Sequence, residues 1–233
     1  MFYETLPIVL IVVLGAMALL GARRYRARKD LTFVMIRYAI LVMVSEIIAA
    51  KPSVVYVGRY FVVPAAVVLR ATTYMLTDIV NEVAGLKRTY EMIQMTFAAV
   101  LLTEFAIRVT VYFVPLSGRP YNDAYKAIFG LSPRIAVASR IAFLVSEHFD
   151  ARNYHFFKSR GYPLRVRNAF GSILSLTVDT LIFIPLAFYG VFPNALIIQL
   201  IIGQIVIKRL TAIIDTPFMY ASRKIISRGF YAS

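Results

Sequence analysis

Residues 166–190 read "VRNAFGSILSLTVDTLIFIPLAFYG", an apolar run long enough to cross a bilayer, with one aspartate, Asp179, at its middle. About twenty apolar residues at ~1.5 Å rise each span a ~30 Å hydrocarbon core. A carboxylate at that depth needs another helix, a substrate or a proton to meet it. The rest of the chain repeats the pattern. Its 233 residues are 60% hydrophobic, and the apolar residues come in blocks of bilayer length rather than at the periods of a soluble domain. An all-α, polytopic helical membrane protein follows, forming a single transmembrane domain over residues 1–233. The ~10-residue alternating segments of a β-barrel are not visible.

Seven spans are predicted: Leu6–Ala22, Leu31–Ala50, Val54–Leu76, Met92–Val114, Ile135–Phe149, Ala169–Gly190 and Ala195–Ile214. The first is read as a retained helix rather than a signal peptide, because Glu4 precedes it and Arg23, Arg24, Arg26, Arg28 and Lys29 follow. The fifth is short and has to extend, thin the bilayer or end in a wet cavity. Lys and Arg total 26 against 12 acidic residues, a net charge of +14. In a soluble chain that excess would suggest nucleic acid as a partner; here the basic residues lie between the blocks, so membrane orientation explains them and no nucleic-acid partner is expected. The segments Arg23–Asp30, Asn81–Glu91, Asp150–Asn168 and the tail from Arg223 are all richly basic, whereas the opposite loops hold only Lys51, Arg119, Lys126 and Arg134. An outside N-terminus and a cytoplasmic C-terminus are therefore expected, in the cytoplasmic membrane. The connection Pro115–Pro133 suggests a short interfacial helix or lid.

Charges inside the spans decide where function should be sought. Each costs about 2.5–3.5 kcal/mol near a helix centre, so Glu104, Arg108, Arg140, Glu147, Asp179 and Lys208 left alone would cost on the order of 15 kcal/mol. They are expected to meet one another, or water, inside the bundle. Asn168, Ser172, Ser175 and Asp179 follow steps of 4, 3 and 4 and share one helix face; Gln204, Lys208, Thr211 and Asp215 repeat the same steps. Arg140, Phe143, Glu147 and Asp150 form a third stripe. Glu104 precedes Arg108 by one turn, the order of a structural ion pair. Glu104, Asp179 and Gln204 count to near the midplane. Arg37 and Arg59 sit near helix ends and are read as snorkelling; Lys208 can snorkel or point inward. Pro64 and Pro185 suggest kinks.

With no cysteine and only two histidines seven residues apart, neither disulfide, thiolate nor metal chemistry is expected. No nucleotide-binding loop or zinc-protease motif is found, so the chain is read as a non-enzyme without cofactor.

The stretches "ATTYMLTDIVNEVAGLKR" (71–88), "RIAVASRIAFLVSEHFD" (134–150), "RNAFGSILSLTVDTLIFIPLAFYG" (167–190) and "KRLTAIIDTP" (208–217) resemble the queuosine precursor transporter family, also called the vitamin uptake transporter family. The resemblance runs over roughly residues 70–217. Glu147 stands where the family often has glutamine, and the first two spans match weakly. The resemblance implies import of 7-cyano-7-deazaguanine and 7-aminomethyl-7-deazaguanine, precursors of modified tRNA bases, and a six-helix core related to the substrate-binding components of energy-coupling-factor vitamin transporters plus an extra helix. A deazaguanine offers N1–H and a 2-amino group to a carboxylate, O6 to a donor, and flat faces to aromatic rings. On that reading Asp179 or Glu147 binds the guanine-like edge and Asn168, Arg140 or Lys208 meets O6. Ser175, Gln204 and Glu104 join the same lining, while Asp78, Asn81 and Glu82 brace the cytoplasmic side. The other reading is a substrate-binding membrane component of a multisubunit ATP-driven vitamin importer, which would co-purify with ATPases. The expected partners are a purine-like small molecule, the lipid bilayer and, as small transporters often pair, a second copy in a homodimer.

Overall fold

A 45-residue helix runs from Val67 to Val111, more than twice the length that crosses a bilayer, and it is broken at Gly85. Gly85 has φ 77° and ψ −179°, a backbone region open essentially to glycine alone. The chain doubles back there. Arg70, at the start of this helix, reaches Glu46 near the end of the preceding one, and Thr103, far along the second half, reaches Met43 in the same neighbourhood. No atom lies within 4 Å of where a Cβ on Gly85 would stand, so only backbone strain opposes a side chain. Gly85→Ala is expected to destabilise the protein by about 1–3 kcal/mol, read as a lower melting temperature of the purified protein.

The computed structural model describes residues 2–49, 51–56, 60–113, 121–129 and 133–227. Its elements are α1 (Phe2–Arg28), α2 (Thr32–Ile48), β1 (Pro52–Tyr56), β2 (Tyr60–Pro64), α3 (Val67–Val111), α4 (Tyr121–Phe129), α5 (Pro133–Ser159), α6 (Leu164–Phe188) and α7 (Asn194–Ser227). Four helices carry apolar stretches long enough to cross a membrane: Pro7–Arg28 in α1, α3, Gly171–Phe188 in α6 and Asn194–Ile226 in α7. The chain is a multi-pass helical membrane protein. Its surface agrees with a lipid environment. Val12, Leu20, Ile36, Leu102, Phe105, Leu181, Ile198 and Ile213 face outward, while Thr73, Thr77, Asp78, Glu147, Asp150, Ser175 and Thr211 are buried.

The third predicted span is displaced. Residues 52–56 and 60–64 are not helical but form an antiparallel strand pair with Val54 opposite Val62 and Val55 opposite Phe61. The cause is legible in composition: β-branched and aromatic residues on both sides of Gly58 favour a hairpin over a helix. Pro64 therefore ends β2 rather than kinking a helix. The hairpin packs so tightly on α7 that a Cβ at Gly203 would stand 2.7 Å from the Val62 carbonyl oxygen.

Other boundaries shift by extension. α3 resumes at Leu86 instead of Met92, and α5 continues to Ser159, so the short fifth span is the middle of a 27-residue helix. α7 runs through Pro217 to Ser227, and α6 runs through Pro185 to Phe188. The short helix expected between Pro115 and Pro133 is α4; residues 114–120 and 130–132 lie outside the described residues. Arg37 does not snorkel. It is buried against α1 and donates to the Leu14 carbonyl at 3.3 Å. Arg59 lies outside the described residues.

The two ends of the bundle differ. At one, Arg134 of α5 donates to the carbonyls of Leu186 and Tyr189 at the end of α6, at 2.7 and 2.6 Å. At the other, Glu82 pairs with Arg167 of α6 at 2.6 Å and Arg223 of α7 at 3.1 Å, while Lys158 of α5 caps the carbonyls of Asn81 and Glu82 at 2.8 and 2.7 Å. Cations from two of the basic segments thus converge on a carboxylate of a third, at what we call the basic end.

Candidate substrate site

Four helices bring alternating charges together. Glu46 comes from the last turn of α2, Arg70 from the first turn of α3, Asp179 from α6 and Lys208 from α7. Lys208 Nζ donates to Asp179 Oδ2 at 2.5 Å and to Thr180 Oγ1 at 2.9 Å. The Arg70 guanidinium lies 3.8 Å from Asp179 and 3.5 Å from Glu46, and its carbon sits 4.7 Å from the centre of the Phe143 ring. Ser139 donates to Glu46 at 2.7 Å, and Ser146 to Asp179 at 3.2 Å. Tyr74 donates in turn to Ser146 at 2.8 Å. Two anions and two cations sum to zero, which is how four ionised groups can be withdrawn from water together.

The charges are neutralised, yet they enclose space. A pocket is lined by Glu46, Arg70, Asp179, Lys208, Gln204 and Phe183, with Ser45, Ala49, Pro64, Ala66, Val67, Ser139 and Ala142 completing its wall. An apolar wall with a few fixed polar groups is the make-up of small-molecule sites. Because Ala49 and Pro64 belong to the wall, the pocket sits towards the end opposite the basic one. Asp179, Gln204 and Lys208 are 4%, 3% and 2% exposed, so they face this interior and not lipid. Lys208 does not snorkel.

The remaining predicted residues fall into other groups. Glu104 pairs with Arg108 at 3.2 Å and with Arg140, and these three border a separate, largely apolar pocket that shares Glu46 with the first. Glu147 is wholly buried beside the charged pocket but not in its wall; Thr73 and Thr77 donate to it at 3.1 and 3.0 Å. Ser175 donates to the Gly171 carbonyl of its own helix at 2.8 Å. Asp78 accepts from Ser172 at 3.0 Å, and Asn81 donates to the Ala151 carbonyl at 2.7 Å. Glu82 anchors the basic end. The side chain of Asn168 lies outside the described residues.

Glu46 and Arg70 were not among the residues expected here. With Val54–Leu76 read as a span, Arg70 counts close to a helix end, and Glu46 lies one turn from Ala50. Only the hairpin reveals that α3 starts inside the bundle, which carries Arg70 to the depth of Asp179. The available signal was the pair of opposite charges flanking a β-branched run with a central glycine.

Comparison with known proteins adds to this geometry. A family model described as "Putative vitamin uptake transporter" matches residues 64–222. A protein of Bacillus subtilis (strain 168) named "Probable queuosine precursor transporter" is 30% identical over 163 residues, covering 68% of this chain and 71% of the relative. No solved structure matches. The matched residues supply the α3, α5, α6 and α7 sides of the charged pocket, whereas Glu46 lies before them. A match over more than half of the chain shows that the protein belongs to the vitamin uptake transporter family.

Proposed function

We propose that this protein imports 7-deazaguanine precursors of modified tRNA bases, 7-cyano-7-deazaguanine or 7-aminomethyl-7-deazaguanine, through the pocket at Asp179. The observation that carries the reading is the pairing of carboxylates with cations around an open space, in a chain whose relative is named for queuosine precursors. A guanine-like edge presents N1–H and an amino group side by side, and a carboxylate accepts both. Asp179 or Glu46 fills that role, with Arg70 or Lys208 meeting O6. Phe183, in the wall, offers a ring face. Substrate thereby offers the carboxylate a pair of donors of matching shape, and an analogue lacking the donor edge leaves that hydrogen-bonding position unfilled. Glu147, locked by two threonines, acts behind the wall rather than in it.

By the charge bias of the loops, the basic end faces the cytoplasm, with the N-terminus outside. The pocket is then approached from outside, and the Glu82 cluster, with Asp78 and Asn81 above it, closes the path inward. Transport is by this chain itself, as a secondary transporter.

The test is thermal stabilisation of purified protein against purines and 7-deazapurines. Stabilisation grows as RT ln(1 + [L]/Kd), so a ligand at 100 times Kd adds about 2.7 kcal/mol. Both precursors are expected to raise the melting temperature, adenine and 7-deazaadenine are not, and Glu46→Gln is expected to reduce the shift. Equal stabilisation by all purines, or by none, overturns the reading.

A further inference from the structure

Between the charged pocket and the basic end, the seam of α3, α5 and α6 holds acceptors that lack donors. Asp78 and Asp150 are both 0% exposed. Ser172 satisfies one oxygen of Asp78; the other has no hydrogen-bond partner among the described residues, and neither oxygen of Asp150 has one. Ser175 faces Asp150 from α6, but its hydroxyl donates to the Gly171 carbonyl of its own helix. Asn81, three residues after Asp78, directs its amide into the same seam. Its Nδ2 donates to the carbonyl of Ala151, the residue next to Asp150, and its equally buried Oδ1 is left without a partner.

The charged groups acting on this pair are themselves acidic: Asp150, Glu147 and Glu82 act on Asp78, and Glu147 acts on Asp150. Tyr154 of α5 also faces Asp78 but gives its hydroxyl to Glu82. On α7, Asp215 faces Thr72 instead. Cations at either end of the seam are committed elsewhere, Arg70 to Glu46 and Asp179, Arg167 to Glu82, and Lys158 to two backbone carbonyls. Two carboxylates in such a place cannot both be ionised without facing desolvation and mutual repulsion together. A carboxylic acid, by contrast, brings the O–H donor that the acceptors around it lack.

We propose that Asp78 and Asp150 form a proton-binding site through which transport is coupled to the proton gradient. A proton is held between the two carboxyl groups while the pocket is open away from the basic end. It is released to water when the basic end opens, and the pair reloads from the other side. No bond other than O–H forms or breaks. The proposal rests on reading the chain as a transporter, and its test keeps the two apart.

Purified wild-type protein, Asp150→Asn and Asp78→Asn are reconstituted in vesicles and given labelled 7-cyano-7-deazaguanine, with and without an imposed pH gradient. Wild type is expected to accumulate label several-fold above equilibrium only when the gradient is present. Asp150→Asn should lose that accumulation yet keep exchange of internal for external substrate, with its melting temperature little changed, because the amide supplies Asp78 with the donor that the shared proton gave and strands no cation. Accumulation that ignores the pH gradient or follows a sodium gradient overturns the coupling, as does Asp150→Asn accumulating like wild type. Should the label not enter wild-type vesicles at all, the transport reading fails, and infrared spectra of the same proteins decide the proton site alone. A protonated-carboxyl C=O band that weakens in both variants supports it, and a band unchanged in both overturns it.

Discussion

Replacing Asp179 by asparagine is expected to abolish uptake of 7-deazaguanine precursors in cells that cannot make them, and to lower the amount of folded protein. The two effects have different causes. Lys208 Nζ lies 2.5 Å from Asp179, and both groups are buried, so the single change strands an ammonium in the interior. Breaking a buried pair from one side costs about 3–5 kcal/mol, a large share of a typical folding stability of about 5–15 kcal/mol. Arg70, 3.8 Å away, loses its counter-ion at the same time and keeps only Glu46. The double variant Asp179→Asn with Lys208→Met removes both members of the pair and leaves Glu46 and Arg70 in balance. Its melting temperature is expected to return most of the way to wild type while uptake stays absent. Uptake at wild-type rate in that double variant would remove Asp179 from the binding site; failure of the melting temperature to recover would mean that the pair is not the dominant interaction there. Asp150→Asn, which strands no cation, should differ from Asp179→Asn in just this respect.

The contrast between those aspartates marks what sequence alone could and could not reveal. Inward-facing stripes on α6 and α7 were legible because helix periodicity fixes a face: Asp179 and Lys208, from different helices, are found in one pocket. The lipid-facing exterior and the clustering of basic segments at one end were equally legible, since both follow from composition. What could not be read was depth. A run such as Val54–Leu76 satisfies a hydropathy rule whether it is one helix or a hairpin followed by a helix, and the choice moves Arg70 by several turns. Partnering was also hidden. Glu104 is near mid-depth by count, as Asp179 is, but it pairs with Arg140 beside a different pocket. Glu147 lies on the same face of α5 as Arg140, and threonines from α3 hold it. Periodicity places a side chain on a face, and only the neighbouring helix decides what it meets.

Glu82→Ala is expected to be the most damaging substitution outside the pocket. Its carboxylate receives Arg167 at 2.6 Å, Arg223 at 3.1 Å and the Tyr154 hydroxyl at 3.1 Å, joining α3, α5, α6 and α7 at the basic end. Arg223 is largely solvated and contributes little; Arg167 is buried, so its loss of partner dominates. Removing the carboxylate leaves Arg167, Lys158 and Arg223 as neighbouring cations with no anion among them. A loss on the order of 3 kcal/mol is expected, seen as a fall in melting temperature of the purified protein. A double-mutant cycle with Arg167→Ala isolates the pair, with a coupling of about 1–3 kcal/mol expected. The functional consequence follows from position. If the cluster closes the inward path, cutting it should expose the seam beneath the pocket. Because the chain contains no cysteine, a single cysteine at Ser175 reports that opening without background. Labelling of Ser175→Cys from the basic end should rise several-fold when Glu82→Ala is added. An unchanged labelling rate, in protein that remains folded, would show that Glu82 ties the helices together without gating the path between them.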